Sequence, residues 1–339
     1  MSVLPATSEG DRDSLRAGWR DVLLSPLWES SAHQPTEAPR KGGLWSWRDI
    51  ARCAHEAAKL TSPEVVERRV LRLMNPDPAS AEDESTVGNL AAAIQILLPG
   101  ETARPHRHSI NALRFVLEGA GATTLVNGKP VEMHVGDMLL TPGDCWHEHF
   151  HAGSEPVIWL DVLDAPFHNA IGTTTFEGGP MTEPPPTLSD KAFAAPNLLP
   201  TDIEAVPPHS PVFGYPYADV ARVIDHAPPG PDGARSVRYI NPLTGGAAMS
   251  TLDCRMIGLD AGATTRARRT NADAVLLAVD GSGESWIGDR QYRWSKHDIL
   301  VVPKNNWLRH KADSQARLFE VSNSEMLFRI DLLKEDYRD

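Results

Sequence analysis

Two stretches of this chain repeat one pattern of apolar runs and turns. The segment LRFVLEGAG, which begins at Leu113, aligns with VLLAVDGSG, which begins at Val275. Further along, GDMLLTPGDCWHEH aligns in the same way with HDILVVPKNNWLRH. Such self-similarity indicates that a structural unit has been duplicated within the chain. The fold must therefore provide two copies of one unit within 339 residues.

The repeated unit has the pattern of short strands. Residues 86–164 hold about eight strand-like runs, separated by turn signals such as GAG, VNGKP and PGD. Turns of this kind join the strands of hairpins. Many short strands with evenly spaced turns predict an all-β barrel or sandwich.

The N-terminal part of the chain differs from the repeated unit. Helical apolar spacing from Leu15 to Leu24, and again from Trp45 to Ala54, predicts a mainly helical extension. Residues 65–73 have the composition of a strand that ends at the turn signal NPDP. The predicted organisation is a helical and connecting segment (1–60), a first barrel (61–165), a proline-rich linker (166–210) and a second barrel (211–339).

Charge and cysteine usage narrow the class of partners. The formal net charge is −12, whereas nucleic acids and anionic membranes require clustered Lys and Arg. We therefore expect neither as a partner, and an anionic substrate would need local arginines. No apolar run reaches about eighteen residues, which predicts no membrane span. Three scattered cysteines and an N-terminus without a secretory pattern predict a soluble, cytoplasmic protein without disulfides.

Three histidines of the first copy have the spacing of a metal site. His106 and His108 are two residues apart, so on a strand they point to the same face. A neighbouring strand can bring His147 beside them. Neutral imidazole is a common ligand of first-row transition metals. The alternative is a set of hydrogen-bonded core histidines in a barrel without metal.

The second copy lacks these ligands. Arg268 and Thr270 stand at the positions of His106 and His108, and Leu308 stands at the position of His147. None of the three supplies an imidazole, so we expect the second barrel to have a structural role.

The surroundings of the histidines resemble the two cupin motifs. Gly100 precedes His106 with five residues between them, and Gly136 precedes Pro142 in the same way, with His147 five residues after the proline. The resemblance implies two jelly-roll barrels, that is, a bicupin.

One position departs from the four-ligand cupins. Those proteins carry a glutamate four or five residues after the second histidine, where this chain has Ala112 and Leu113. We therefore expect three histidine ligands without a carboxylate, and open coordination positions on the metal.

Several longer segments of the sequence resemble the gentisate 1,2-dioxygenase family, which includes salicylate and 1-hydroxy-2-naphthoate dioxygenases. The resemblance runs from about Trp45 to the C-terminus. Its most specific segments are ERRVLRLMNP (67–76), IQILLPGE (94–101), HRHSINALRFVLEG (106–119), WHEH (146–149) and WLDVLD (159–164). It implies an Fe(II)-dependent, extradiol-type dioxygenase that opens an aromatic hydroxy acid between the carboxyl- and hydroxyl-bearing carbons. It also implies a homo-oligomer, commonly a tetramer.

The resemblance assigns roles to arginines as well as to the three iron ligands. Arg114 matches an arginine that faces the metal and holds the substrate carboxylate, and Arg69 matches a second one, with Arg68 as the alternative if the register differs by one. Arg114 lies six residues after His108, and this even separation predicts the same strand face. A guanidinium offers two parallel donors to a carboxylate. The alternative for Arg114 is an internal salt bridge.

Three further residues are assigned by the resemblance. Gln95 matches a polar residue beside the metal, His149 a histidine that interacts with oxygen or the substrate hydroxyl, and Asp161 an acidic residue at the far edge of the ring. His149 shares a strand face with His147 by the two-residue period. The alternatives are a packing histidine for His149 and a strand-end anchor for Asp161.

The substrate and the reaction class have named alternatives. Ala91 stands where relatives commonly carry an aromatic residue, so the pocket could admit a larger ring than gentisate, such as a substituted salicylate or 1-hydroxy-2-naphthoate. A metal-binding cupin isomerase or decarboxylase, or a bicupin that only binds a small molecule, are the alternatives of other classes.

Overall fold

The structure is a computed structural model that describes residues 9–21, 40–75, 85–181, 186–195, 197–203 and 207–339. It divides into two compact units, residues 1–38 and 39–339. The first contains helix α1 (Glu9–Asp21). This helix covers part of the helix predicted from Leu15 to Leu24, whose end lies outside the described residues. No described helix is long and apolar enough to cross a membrane.

The second unit begins with short elements. They are strand β1 (Gly43–Trp45), helices α2 (Trp47–Leu60) and α3 (Pro63–Val66), and strand β2 (Val70–Arg72). At the start of helix α2, Ser46 Oγ accepts a hydrogen bond from the backbone amide of Asp49 at 3.2 Å. The helix buries Ile50 and Ala54, which lie one turn apart. The strand predicted over residues 65–73 is wrong in its first half, where α3 and a tight turn at Glu67 occur instead.

The first barrel contains eight strands within residues 86–164. They are β3 (Ala91–Leu97), β4 (Thr102–His108), β5 (Ala112–Glu118), β6 (Ala122–Val126), β7 (Lys129–Met133), β8 (Met138–Thr141), β9 (His147–His151) and β10 (Val157–Leu163). All their pairings are antiparallel, as expected for hairpin-connected strands.

The segment predicted as a linker has structure of its own. It contains α4 (Ala165–Ile171), β11 (Phe176–Gly178) and a 3-10 helix (Asp190–Phe193). Strand β11 pairs with β4, where Phe176 lies opposite His108 and Gly178 opposite His106. The linker therefore adds a strand to the sheet that carries two of the candidate ligands.

The second barrel follows after β12 (Gly214–Tyr215) and α5 (Tyr217–Ile224). Its elements are β13 (Arg235–Arg238), β14 (Asp253–Leu259), β15 (Ala267–Thr270), β16 (Ala274–Asp280), β17 (Ser282–Ile287), β18 (Arg290–Ser295), β19 (Ile299–Val302), β20 (Trp307–Ala312), β21 (Ala316–Ser322), α6 (Ser324–Arg329) and β22 (Glu335–Arg338). The fold is thus the all-β bicupin that the duplication and the cupin motifs predicted.

Each barrel consists of a six-stranded and a five-stranded sheet. The sheets of the first have the orders β12-β8-β5-β10-β3-β2 and β11-β4-β9-β6-β7, and those of the second β1-β19-β16-β21-β14-β13 and β18-β17-β20-β15-β22. Two strands cross the predicted boundaries. Strand β1 joins the second barrel through β19, and β12 joins the first barrel through β8. Each barrel therefore includes an edge strand from a segment outside its predicted range.

One apolar core extends across both barrels. The rings of Phe115 and Phe319, both at most 1% exposed, lie 4.5 Å apart between centroids. An aromatic pair of this kind contributes about 0.5–1.5 kcal/mol beyond the area it buries. Packing between the six-stranded sheets thus fixes β5 and β10, and these strands carry Arg114 and Asp161.

Candidate metal centre

Strands β4 and β9 bring the three histidines together. His106 and His147 are opposite each other in the antiparallel pair, and His108 lies two residues further along the same face of β4. The ligand atoms of the three residues all lie within 4.8 Å of one another. Among the described residues, this is the one group of three or more histidine, cysteine or carboxylate side chains that could hold a metal ion.

Backbone carbonyls fix the ring orientation of two of these histidines. Nδ1 of His108 lies 2.8 Å from the carbonyl oxygen of Ile110, and Nδ1 of His147 lies 3.0 Å from that of Cys145. A carbonyl can only accept, so each Nδ1 carries the proton and each Nε2 keeps its lone pair. A metal ligand needs this tautomer.

Burial keeps all three imidazoles neutral. It lowers the pKa of His147 well below its usual range and also lowers that of His108. Burial, followed by the charge of Arg68, lowers the pKa of His106 to about 2. Neutral imidazoles without a carboxylate fit a divalent first-row transition metal and leave coordination positions open.

A buried polar network lies beside the histidines. Arg114 Nε donates to Asp161 Oδ1 at 3.1 Å, and Trp159 Nε1 donates to Asp161 Oδ2 at 3.0 Å. The Asp161 carboxylate is thereby held by one donor from the neighbouring strand β5 and one from its own strand β10. Burial raises the pKa of Asp161, and the charge of Arg114 opposes this effect.

The same network sets the tautomer of His149. Its Nδ1 lies 2.9 Å from Thr124 Oγ1 and 3.3 Å from Arg114 NH1, and a guanidinium can only donate. Nδ1 therefore accepts, and Nε2 carries the proton. Burial lowers the pKa of His149 well below its usual range, so the ring is a neutral donor.

Five buried side-chain polar atoms of the described residues have no partner, and two of them are N–H donors on residues that the resemblance assigns to the site. These two are Nε2 of His149 and Nε2 of Gln95, on residues that are 1% and 2% exposed. Gln95 lies opposite Trp159 in the sheet, so its side chain is on the same face as that of Asp161. Buried donors without an acceptor are rare in folded proteins. Each of these two N–H groups could therefore donate to a ligand with acceptor atoms.

Comparison with known proteins places this geometry in a family. The Cupin domain family matches residues 93–163. Gentisate 1,2 dioxygenase 1 of Aquipseudomonas alcaligenes is 35% identical over 312 residues, which cover 88% of this chain and 89% of that protein. The chain belongs to the gentisate 1,2-dioxygenase family. It is therefore a ring-cleaving oxidoreductase, as the resemblance of its motifs predicted.

Two other members of the family match nearly the whole chain. The 5-aminosalicylate 1,2-dioxygenase of a Comamonas species is 31% identical over 346 residues, 98% of this chain and 91% of that protein. The crystal structure of salicylate 1,2-dioxygenase from Pseudoaminobacter salicylatoxidans, in adducts with gentisate, has a TM-score of 0.89 at 28% identity. It covers 99% of this chain and 96% of that one. The bicupin architecture is therefore shared along the full length.

The two arginines before β2 have different positions relative to the three histidines. Arg69 is 3% exposed and forms a two-bonded ion pair with Glu101, with NH1–Oε1 at 2.9 Å and NH2–Oε2 at 2.5 Å. Arg68 is half-buried, and its NH2 lies 2.8 Å from Nδ1 of His106. The structure therefore places Arg68, the alternative by one residue, at the histidines, and it directs Arg69 to a structural ion pair.

Arg114 reaches the site by a different route from the predicted one. The even separation from His108 suggested one strand, but a turn at residues 109–111 puts His108 on β4 and Arg114 on β5, in different sheets. The parity argument was wrong. Arg114 faces His149 because the two sheets of the barrel face each other across its interior.

Sequence reasoning missed four residues at the site. Trp159 and Thr124 hold Asp161 and His149 by hydrogen bonds, and Phe176 packs its ring 5.1 Å from that of His106. Glu67 places Oε1 3.3 Å from Nδ1 of His106. The two-residue spacing of Trp159 and Asp161 was a usable signal, whereas Thr124 and Phe176 depend on pairings that local sequence does not specify.

Proposed function

We propose that this chain binds Fe(II) with His106, His108 and His147 and cleaves the ring of a 2-hydroxybenzoate-type acid, gentisate or a related substituted salicylate. The bond broken lies between the carboxyl- and hydroxyl-bearing carbons, and dioxygen is the second substrate. The observation that carries the proposal is the position of two arginines, Arg68 and Arg114, beside three neutral imidazoles. This arrangement suits a chelating aromatic anion.

Local positive charge supports binding of an anion despite the net charge of −12. Burial, followed by the charge of Arg114, lowers the pKa of Arg68 to about 10. With a pKa of about 10, Arg68 remains charged at neutral pH. A carboxylate between the two guanidinium groups would relieve their repulsion and accept further hydrogen bonds from both.

The chain's own groups would orient the acid. Arg114 donates from Nε and NH1 within the network, which leaves NH2 for the substrate carboxylate. Fe(II), when bound, would hold both reactants on one centre and make their encounter effectively intramolecular. The Nε2–H of His149 would donate to an oxygen on which negative charge develops. Gln95 would offer a second neutral donor, and Asp161 would keep Arg114 in place.

An aerobic assay of the Fe(II)-loaded chain tests this proposal. The panel is gentisate, salicylate, 5-substituted salicylates and 1-hydroxy-2-naphthoate, with oxygen uptake and near-ultraviolet absorbance as readouts. We expect one dioxygen consumed per ring opened and no turnover without oxygen. Turnover under anaerobic conditions would instead indicate an isomerase or decarboxylase. Inactivity on the whole panel, with Fe(II) bound, would overturn the substrate class.

A homotetramer is part of the same proposal. Leu60 is 85% exposed and Val65 is 78% exposed, and both lie at the start of the first barrel. Exposed large apolar side chains favour burial at a subunit interface. Sedimentation equilibrium of the full chain should give four times the mass of 37.1 kDa. A monomer at micromolar concentration would contradict this part.

A further inference from the structure

Asn111 lies where two turns beside the candidate metal site meet. Its Oδ1 accepts from the backbone amide of Gly143 at 3.0 Å. Its Nδ2 donates to Asp164 Oδ2 at 3.1 Å and to Thr251 Oγ1 at 2.9 Å. Asp164, 1% exposed, also accepts from the backbone amide of Asn111 at 2.8 Å. We call Asn111, Asp164 and Thr251 the first clamp, because they hold the two turns together.

These two turns carry the carbonyl groups that orient two of the candidate ligands. In one turn, the carbonyl oxygen of Ile110, the residue before Asn111, accepts from Nδ1 of His108 at 2.8 Å. In the other, which contains the amide held by Asn111, the carbonyl oxygen of Cys145 accepts from Nδ1 of His147 at 3.0 Å. A displacement of either turn would therefore move the acceptor of an imidazole.

The second barrel contains the same clamp with the amide and the carboxylate exchanged. The duplication places Asp273 at the position of Asn111, and Asn323 follows β21 as Asp164 follows β10. Asn323 Oδ1 accepts from the backbone amide of Asp273 at 2.9 Å, and Asp273 Oδ1 accepts from that of Lys304 at 2.9 Å. We call Asp273 and Asn323 the second clamp. The turns that it holds belong to a barrel without the three histidines.

Each clamp also receives a side chain from the other copy of the repeated unit. Thr251 precedes β14 of the second barrel and belongs to the first clamp. Asn89 precedes β3 of the first barrel, and its Oδ1 accepts from Nδ2 of Asn323. The hydrogen bonds of each clamp therefore depend on both copies.

We propose that Asn111 is a positioning residue for His108 and His147 as metal ligands and acts through the first clamp. The inference rests on the proposed function, in which these histidines bind a metal. An imidazole that binds through Nε2 carries its proton on Nδ1, and a fixed acceptor at Nδ1 orients the ring. The first clamp holds both acceptors with one side chain. Because Thr251 is part of it, the second barrel contributes to the metal site without supplying a ligand.

Matched variants in the two clamps test this role without using turnover. Asn111→Asp places a second carboxylate beside Asp164, and Asn323→Asp does the same beside Asp273. Both should lower the urea midpoint of the metal-free chain, because like charges are buried together. Fe(II) binding is then measured anaerobically on the full, chelator-stripped chain by competition with a chromophoric chelator. We expect the affinity to fall about tenfold or more in Asn111→Asp and to stay unchanged in Asn323→Asp.

The arrangement of the second clamp provides a rescue of the first. Combining Asn111→Asp with Asp164→Asn restores one carboxylate and one amide, exchanged as in the second barrel. We expect the Fe(II) affinity of this double variant to return to within a few-fold of the unmodified chain, which a double-mutant cycle measures. Thr251→Val removes one hydroxyl with little change of shape. It should weaken Fe(II) binding by a smaller factor, and it replaces Asn111→Asp in the test if that variant does not fold.

The outcomes separate a metal role from a structural one. A loss of affinity confined to the first clamp, with recovery in the double variant, supports the proposal. Equal losses in Asn111→Asp and Asn323→Asp would show a general effect of stability and overturn it. Unchanged affinity in both Asn111→Asp and Thr251→Val, or no recovery in the double variant, would also overturn it and leave the proposed function intact. An unmodified chain that binds no Fe(II) would overturn the proposed function itself.

Discussion

The two barrels share one register of strand pairing but place different residues at the equivalent positions. In the first, His106 lies opposite His147, and in the second Arg268 lies opposite Leu308 at the same place in the sheet. Asp161 faces Arg114 across β10 and β5, while its counterpart Glu320 faces Leu276.

The acidic residue of the second barrel has different partners as a result. Glu320, 3% exposed, accepts from Arg268 NH2 at 3.0 and 3.1 Å and from Arg255 Nε at 2.8 Å. Arg268 stands at the position of His106, and its guanidinium is paired with Glu320. A metal cation there would meet a guanidinium instead of a lone pair.

The histidines that follow the ligand position also differ. His310, the counterpart of His149, has Nδ1 2.7 Å from Ser285 Oγ, which in turn accepts from Trp294 Nε1 at 2.8 Å. The first barrel leaves Nε2 of Gln95 and of His149 without a partner, whereas in the described part of the second barrel the buried polar atom without a partner is the hydroxyl of Tyr239. The difference between the barrels therefore lies in which groups are left unpartnered: in the first barrel they include two N–H donors, the amide of Gln95 and the imidazole of His149.

Converting the first barrel toward the second should have the largest effect. His147→Leu introduces the residue that stands at the equivalent position 308 and removes one of the three candidate ligands. The variant should therefore lose the several kcal/mol by which a bound metal stabilises the transition state. We expect turnover to fall by about a thousandfold or more, measured as oxygen uptake with the best substrate of the panel. The reverse change, Leu308→His, should create no metal site because Arg268 and Thr270 remain. Metal binding by that variant would contradict the comparison.

Breaking the ion pair of the second barrel should cost stability. Arg268→Ala leaves Glu320 buried with one partner fewer, and removal of one member of a buried pair costs about 3–5 kcal/mol. The neighbouring Arg269 forms an exposed pair with Asp336, so Arg269→Ala should cost about 1 kcal/mol or less. Urea unfolding of both variants measures the difference. Equal losses would show that the buried pair has no special structural role.

The buried histidine of the second barrel should make the fold sensitive to acid. Burial lowers the pKa of His310 from 6.5 to about 4, so between these values the unfolded chain binds a proton that the folded chain does not. Stability therefore falls as the pH falls through this window, by up to about 3 kcal/mol. His310→Gln should remove that component, which urea unfolding at pH 7 and pH 4.5 would detect. An unchanged pH dependence would contradict it.

A conservative change at Arg114 should have the smallest of these effects. Arg114→Lys keeps the charge and loses the planar fork, so KM for the aromatic acid should rise about tenfold or more with a smaller change in kcat. Steady-state kinetics with oxygen in excess measures this. The matched control is Arg107→Lys, on the outer face of β4 between two ligands and paired with Glu177. A similar rise in KM for the control would show that general charge, not Arg114, governs binding.

The sequence predicted which side chains share a strand face where the two-residue period of a strand is uninterrupted. It failed where a turn interrupts that period. His106 and His108, or His147 and His149, share a face because each pair lies on one uninterrupted strand. The resemblance assigned the second carboxylate-binding role to Arg69, with Arg68 as the alternative, but after the tight turn at Glu67 Arg68 lies beside His106 and Arg69 pairs with Glu101. NH1 of Arg114 lies 3.3 Å from Nδ1 of His149, although the parity argument from His108 crossed a turn.

Long-range pairing accounts for the remaining misses. The duplication predicted two barrels, yet nothing local in residues 43–45 specifies pairing with β19, nor in residues 214–215 with β8. The same applies to β11, which covers the ligand strand from a segment that composition marks as a linker. These strands are short, and their positions follow from the assembled sheets.

Diffraction at the iron absorption edge, from crystals of the chain loaded with Fe(II) under anaerobic conditions, tests the central claim most directly. The account predicts one anomalous peak per chain, bound by the imidazoles of His106, His108 and His147. A peak in the second barrel, or a loaded chain with no peak between these three histidines, would contradict it.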